Sequence, residues 1–377
     1  MFSVKRKYWP RKHLSEGWKL VWQMHNFCLE SFYSGNVFEP APTARAKYST
    51  RGGFSSSSFS RLGLAPSIVL PLMQAANFSL SATTWTSYAT AERHIARVEK
   101  ATGVRITFPL SLKATLAYVS HLLCPKSEGG RGLQGKTIEK YISNLRMLHM
   151  QKGFFSPWIR PEVIKQITRG ACNRDQLEKR MQGKTGKHAM TPDLMWAVKM
   201  NLGSVTWRRS RKRLVWAVST ICWAGALRIH EILARSSSCY DPFTTMTASD
   251  IKLGKTKVED RVVETLKICL KHPKEFRLSS GVVIDVFATG DFMCPVKAFK
   301  DWHKDKVVKL SPQRPMFRLA EGQNYTGALF NKDLKTLLKD DVDYEKAPIT
   351  SHSFRRGLVT FMAKNNYSDE AIMKIGR

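Results

Sequence analysis

Apolar residues recur at helical spacing in four successive segments after residue 76. From Thr84 to Lys100, the residues Trp85, Tyr88, Ala91, Ile95 and Val98 fall on one stripe, as three-and-four spacing requires of one helix face. A second segment opens at Ser111 and continues through Leu112, Leu116, Val119 and Leu123. The Ser111 hydroxyl can accept from an amide of the first turn, so it reads as an N-cap. A third runs from Thr137 through Ile138, Tyr141, Leu145 and Leu148 and stops at Gly153, a residue that ends helices in the left-handed region. A fourth starts at Pro161, with Val163, Ile164 and Ile167 following; the fixed φ of proline suits the first helical position. These segments predict a compact helical domain over residues 76–174.

The pattern then changes. Residues 175–190 are rich in Lys, Arg, Gln and Gly and show no hydrophobic period, which predicts a linker. Thr191-Pro192 reads as the N-cap and first position of a new helix and opens a domain over 191–377. Helical spacing covers the stretch from 192 to 234, and an unbroken helix is expected from Trp216 to Leu233. Val- and Ile-rich runs at Val262–Leu270 and Val282–Phe287 predict strands joined as a hairpin. Helical spacing resumes after Pro295, around Leu329–Leu338, and from Ser351 to the end. The predicted fold class is mainly α with a small β-sheet. Residues 1–75 differ, with Ser49, Gly52, Gly53, Ser55–Ser58, Pro66 and Pro71. Such a composition buries little core, so a poorly ordered arm is expected. No run of 18 apolar residues predicts a membrane span, and Met1–Lys12 has no apolar stretch of a secretory signal.

Charge changes the picture most. The chain holds 61 Lys+Arg against 30 Asp+Glu, a net charge of +31. Self-repulsion of that size opposes compaction, so a polyanionic partner is expected, and nucleic acid releases counterions when its phosphates are neutralised. The excess is distributed along the whole chain, which suits a protein that surrounds its ligand. Lys136 and Lys140 lie on the polar side of the third helical segment, and Arg208, Arg209, Arg211, Lys212 and Arg213 form a basic run. These seven are the expected contacts to a nucleic-acid backbone; a nuclear-import signal and solvation at a helix start are the alternatives for the basic run. The seven cysteines include no CxxC pair, so neither a zinc ribbon nor a disulfide framework is expected, and reduced thiols in an intracellular protein are.

Three local patterns carry candidate chemistry. In Gly225-Ala226-Leu227-Arg228-Ile229-His230-Glu231, an arginine interrupts an apolar stretch. A guanidinium there needs an anion or a carboxylate, and Glu231 three residues on offers an internal pair. In Ser351-His352-Ser353-Phe354-Arg355-Arg356-Gly357, His352 and Arg355 share one helix face near its N-terminus while Arg356 points elsewhere. A histidine and an arginine there make a phosphate pocket, or a solvated helix start. Lys271-His272-Pro273-Lys274 sits between the two predicted strands, where a hairpin tip presents a lysine to a ligand or to water.

In this order, an arginine in a GALRxxE context, a hairpin lysine and a late HxxR resemble the tyrosine-recombinase (phage-integrase) family over residues 76–377. Asp250-Ile251 before the hairpin and Cys294-Pro295-Val296 after it add to the likeness. CPV, HSFRRG and the terminal IGR are more narrowly similar to eukaryotic mobile-element recombinases of the DIRS or Crypton kind. The resemblance implies a SAM-like core-binding domain and an α+β catalytic domain closing as a clamp on duplex DNA. It implies that Arg228 and Arg355 grip the scissile phosphate, that Lys274 (Lys271 as runner-up) protonates the leaving oxygen, and that His352 assists. No metal and no cofactor is implied. The nucleophile would be a tyrosine forming a 3′-phosphotyrosine link. The family pattern puts that tyrosine about ten residues past Arg377, so the chain is expected to be C-terminally truncated, with no nucleophile and no activity of its own. Homo-oligomers on DNA are implied where the missing segment is present, and a nuclear location if the host is eukaryotic. Two other readings stand beside this one: a non-catalytic DNA-binding remnant of the same scaffold, and a basic RNA-binding protein.

Overall fold

A computed structural model describes residues 59, 63–78, 82–124, 132–154, 162–182, 188–242, 244–258, 261–271, 282–304, 311–340, 349–350 and 352–376. They are mainly helical, with one three-stranded antiparallel sheet. Those within Ala44–Lys184 form one compact unit, and those within Thr185–Arg377 form another.

The smaller unit contains α1 (Pro66–Phe78), α2 (Ala82–Thr102), α3 (Leu112–Leu123), α4 (Gly135–Gln151) and α5 (Glu162–Met181). Its core takes Val98 from α2, Val119 from α3, Ile138 and Leu145 from α4 and Ile164 from α5, all on the stripes read from the sequence, and adds Tyr118 and Ile142, which those stripes left out, while Leu112 and Val163 are exposed. The Ser111 hydroxyl caps α3 by accepting from the Ala114 amide at 3.1 Å, and Gly153 sits at φ 85° just past α4.

Two expectations need correction. The supposed arm contains α1, which begins with Pro66 at a favoured first position. Its Ile-, Leu-, Met- and Ala-rich course has helical propensity that the serine-rich surroundings hide. The supposed linker begins inside α5. Asp175 accepts from the Gly135 amide at 2.5 Å, so this carboxylate satisfies an orphan donor at the start of α4. A Cβ at Gly135 would lie 2.4 Å from the Cys172 nitrogen, so only glycine lets α4 begin so close to α5. Of the predicted linker, residues 183–187 lie outside the described set.

The larger unit contains α6 (Pro192–Ser204), α7 (Arg209–Ala224), α8 (Ile229–Ile232), a 3-10 turn (Ala248–Asp250), β1 (Ile251–Val258), β2 (Arg261–Leu270), β3 (Val282–Phe287), α9 (Pro295–Lys304), α10 (Gly327–Leu338), α11 (Ser353–Lys364) and α12 (Asp369–Gly376). Thr191 caps α6 by accepting from the Leu194 amide at 3.3 Å. From Leu214 to Ala224, α7 is buried on every side. Two hydroxyls in this run return their protons to its own carbonyls, Ser219 to Val215 at 2.8 Å and Thr220 to Trp216 at 3.1 Å. That is how polar residues survive in an apolar helix.

β2 is the middle strand, with Ile268 opposite Ile251 of β1 and Ile284 of β3. β1 is absent from the sequence reading because Lys252, Lys255 and Lys257 break any apolar alternation on this edge strand. The end of β2 and the start of β3 fall where expected, while residues 272–281 between them lie outside the described set.

The first turn of α7 is tied to α10 by charge. Arg211 meets Asp333 at 2.5 Å, and that carboxylate is 1% exposed. Tyr325 donates its hydroxyl to the same carboxylate at 2.7 Å, and the guanidinium lies 4.7 Å from the Trp207 ring. Breaking a buried pair leaves an uncompensated charge, at a cost of several kcal/mol. Asp333→Ala is therefore expected to destabilise the chain by about 3 kcal/mol, measured by urea denaturation; a loss within experimental error would contradict a structural role.

Candidate functional site

The end of α7 shows why Arg228 stands where it does. The helix does not run on to Leu233 as its apolar pattern predicts. Gly225 caps it, Ala226 adopts φ 47°, and the Leu227 amide donates back to the Cys222 carbonyl at 3.0 Å. This bond and that from Ala226 to Trp223 close the helix as a Schellman turn, with alanine in the left-handed position usually held by glycine. The chain restarts at Arg228, the N-cap of the single turn α8. Glu231 accepts from the Arg228 backbone amide at 2.7 Å and from its guanidinium at 3.0 Å. Both side chains are largely buried, at 14% and 8% exposure. The internal pair allowed by the sequence is thus formed, and it fixes the direction of the guanidinium.

A second polypeptide segment is docked beside this turn through the backbone of Met190. The Met190 amide donates to the Ser353 carbonyl at 2.8 Å, and its carbonyl accepts from Trp223 Nε1 at 2.8 Å. Trp223 belongs to the last turn of α7, Ser353 to the first turn of α11. One turn further along α11, a Cβ at Gly357 would lie 2.1 Å from the Met190 oxygen. Glycine is the only residue that permits this approach. The Trp223 ring also meets Phe361 of α11 edge-on at 5.5 Å.

This joint ties the N-terminus of α11 to the last turn of α7, shortly before Arg228 in the chain. His352 is the exposed N-cap of α11, Arg355 is half-buried in its first turn, and Arg356 is exposed. His230, next to Arg228, registers the convergence. Partial burial lowers its pKa first; the charges of Arg228, Arg235 and His352 lower it further, and Glu231 opposes them. One imidazole therefore lies within electrostatic reach of both motifs. His352 and Arg355 stand at the N-terminal turn of α11, where an anion is favoured by the helix dipole.

The two candidate lysines part company. Lys271 is caged: its ammonium meets Asp250 at 2.6 Å, the Pro242 and Thr245 carbonyls at 2.6 and 3.2 Å, and the Thr247 hydroxyl at 3.3 Å. Asp250 also accepts from the Thr247 amide and hydroxyl at 2.6 and 2.7 Å. An ammonium saturated in this way anchors the end of β2 and has no donor left for a substrate. Lys274 lies outside the described residues.

The basic run also divides. Arg211 is consumed by Asp333; Arg213 donates to the Asp301 carbonyl at 2.9 Å; Lys212 donates to the Gly203 carbonyl at 3.2 Å; Arg208 pairs with Glu321 at 2.9 Å on the surface. Arg209, Lys136 and Lys140 are exposed. Sequence reasoning overlooked Met190, Trp223 and Gly357. The sole signal was the glycine closing the HSFRRG motif, since backbone bonds leave no trace in residue type. Among the described residues, no cluster of His, Cys, Asp and Glu is fit to hold a metal, and no helix is long and apolar enough to cross a membrane.

No protein-family model matches the sequence, and no curated protein is recognisably similar to it. Among solved structures, a similar chain path is found in the XerH site-specific recombinase bound to difH substrate in a pre-cleavage complex. That chain is 12% identical with a TM-score of 0.46, and the alignment covers 95% of this chain and 88% of that one.

The Met190 joint is tested by Gly357→Ala. Placing a methyl against the Met190 carbonyl forces α11 away from α7, with an expected loss of about 2 kcal/mol or more. Thermal melting checks it; an unchanged melting temperature would mean the approach is not as close as the geometry requires.

Proposed function

We propose that the larger unit binds the sugar-phosphate backbone of duplex DNA at Arg228, His352 and Arg355 and belongs to a machinery of DNA strand cleavage and rejoining of the tyrosine-recombinase type. The observation that supports this reading is the Met190 joint, which ties the first turn of α11 to the last turn of α7, shortly before Arg228 in the chain. A basic RNA-binding protein would have no need to hold these two particular motifs together.

In the proposed chemistry, the two guanidinium groups neutralise the non-bridging oxygens and the charge that develops in the five-coordinate transition state. Glu231 keeps Arg228 oriented. His352 moves a proton at a phosphate or nucleophile oxygen. Lys274 protonates the departing 5′ oxygen. The saturated cage around Lys271 supports that choice over Lys271. The attacking group is a tyrosine, and the phosphotyrosine ester conserves the bond energy for rejoining.

A second reading, a DNA-binding protein of the same scaffold that does not cleave, is favoured by two tyrosines of the larger unit, one before α10 and one after α11; Tyr344 lies outside the described residues. Tyr325 is buried and commits its hydroxyl to Asp333. Tyr367 packs half-buried on the core, and burial raises its pKa. Neither is suited to attack. The 377-residue chain is accordingly expected to shift a labelled duplex in a gel at moderate salt, more strongly than a folded RNA of equal length, and to leave no covalent adduct on a nicked duplex after denaturing electrophoresis. Preference for the RNA would contradict the reading as a whole. A covalent protein–DNA band would restrict the nucleophile to residues within 1–377 and dispose of the second reading.

A further inference from the structure

The sheet carries a charge arrangement that the candidate site does not use. Side chains alternate between the two faces of a strand. Lys252, Gly254 and Thr256 of β1 therefore share one face with Thr265, Lys267 and Cys269 of β2. The opposite face, with Ile251, Leu266 and Ile268, belongs to the core. Lys252 and Lys267 are direct cross-strand partners, and both are exposed. Like charges placed opposite one another weaken a sheet. Asp285, the partner of Lys267 on β3, supplies one negative charge to the two positive ones. On the opposite face, Lys255 lies opposite Glu264, which also holds Lys300.

Gly254 gives the Lys267 stem room over β1. A Cβ there would meet Lys267 Cε at 3.3 Å and Cδ at 3.6 Å. The missing side chain lets the Lys267 stem lie flat across β1, the edge strand on which Lys252 stands. Glycine inside a strand marks a place where another group approaches closely. Here that group is a lysine stem, and it carries the charge of β2 out to the sheet edge. β2 then runs on to the segment bearing Lys274; Lys267 lies about 13 Å before Lys271 along the strand.

We propose that this face, Lys252 and Lys267 about Gly254, is a contact surface for the phosphate backbone of duplex DNA. It rests on the DNA-binding reading above and adds a surface outside the candidate site. A polyanion is the occupant that this net positive pair fits, because its phosphates turn a like-charge penalty into two ion contacts.

The test uses the whole 377-residue chain, a fluorescent duplex and a series of KCl concentrations. Each phosphate contact contributes about 0.9 to the slope of log affinity against log salt. The double variant Lys252→Gln/Lys267→Gln is expected to reduce that slope by about 1.8 and to melt no lower than the wild type, since the like-charge pair is gone. The same change at two other exposed lysines of the larger unit, Lys335 and Lys339, is expected to leave the slope unchanged. Acetylation of the wild-type chain read by mass spectrometry needs no variant: duplex should protect Lys252 and Lys267. An unaltered slope or unprotected lysines would overturn the proposal, as would an equal slope change in the Lys335/Lys339 control. Failure of the wild type to bind duplex at all would instead remove the DNA-binding reading.

Discussion

The larger unit depends on the two backbone groups of one residue. Met190 gives its amide to Ser353 and its carbonyl to Trp223, so a single peptide joins the start of α11 to the end of α7. Buried backbone groups must be paired, and here the pairing is spent on tertiary structure. The next residue, Thr191, caps α6, so the entry of the chain into this unit is fixed at the same point. Gly357 removes the one atom that would hold α11 off. The Schellman turn at Gly225 and Ala226 then swings Arg228 out of the apolar helix toward the same region. Without the joint, the two motifs would be separate pieces of a basic surface.

The positive charges fall into two groups. Some are used by the fold: Arg211 on Asp333, Lys271 in its cage, Arg213 and Lys212 on carbonyls. These charges lie in partly buried surroundings where an anion or several dipoles must meet them. Others have no such use, above all the Lys252 and Lys267 pair on the sheet. A net charge of +31 is therefore an upper bound on the charge offered to a ligand. The run Arg208 to Arg213 shows why counting basic residues misleads, since its most prominent member is an internal strut.

Local chemistry was legible in the sequence where it acts within a few residues. Ser111, Thr191 and Gly153 each end or begin a helix as their side chains or lack of one demand. The strands β2 and β3 followed from β-branched runs. What was not legible depends on residues distant in sequence. Asp175 extends α5 because it caps α4, forty residues away. β1 is a strand because β2 offers it a partner, despite three lysines in eight residues. The apolar run into Leu233 concealed a break, because Ala226 takes a conformation its residue type does not announce. For the candidate site, the sequence held the two motifs but not the residue that joins the helices beside them, since a methionine acting through its backbone resembles any core methionine.

The central claim is that Arg228 and Arg355 grip one phosphate. A double-mutant cycle on duplex affinity measures this directly, with Arg228→Ala, Arg355→Ala and both together at fixed salt. Groups that share a ligand atom couple, and the coupling is typically about 0.5–3 kcal/mol. The account predicts that the double variant loses less affinity than the two single losses combined, by at least about 1 kcal/mol. Strict additivity would show that the two arginines serve separate contacts, and would contradict a shared phosphate site.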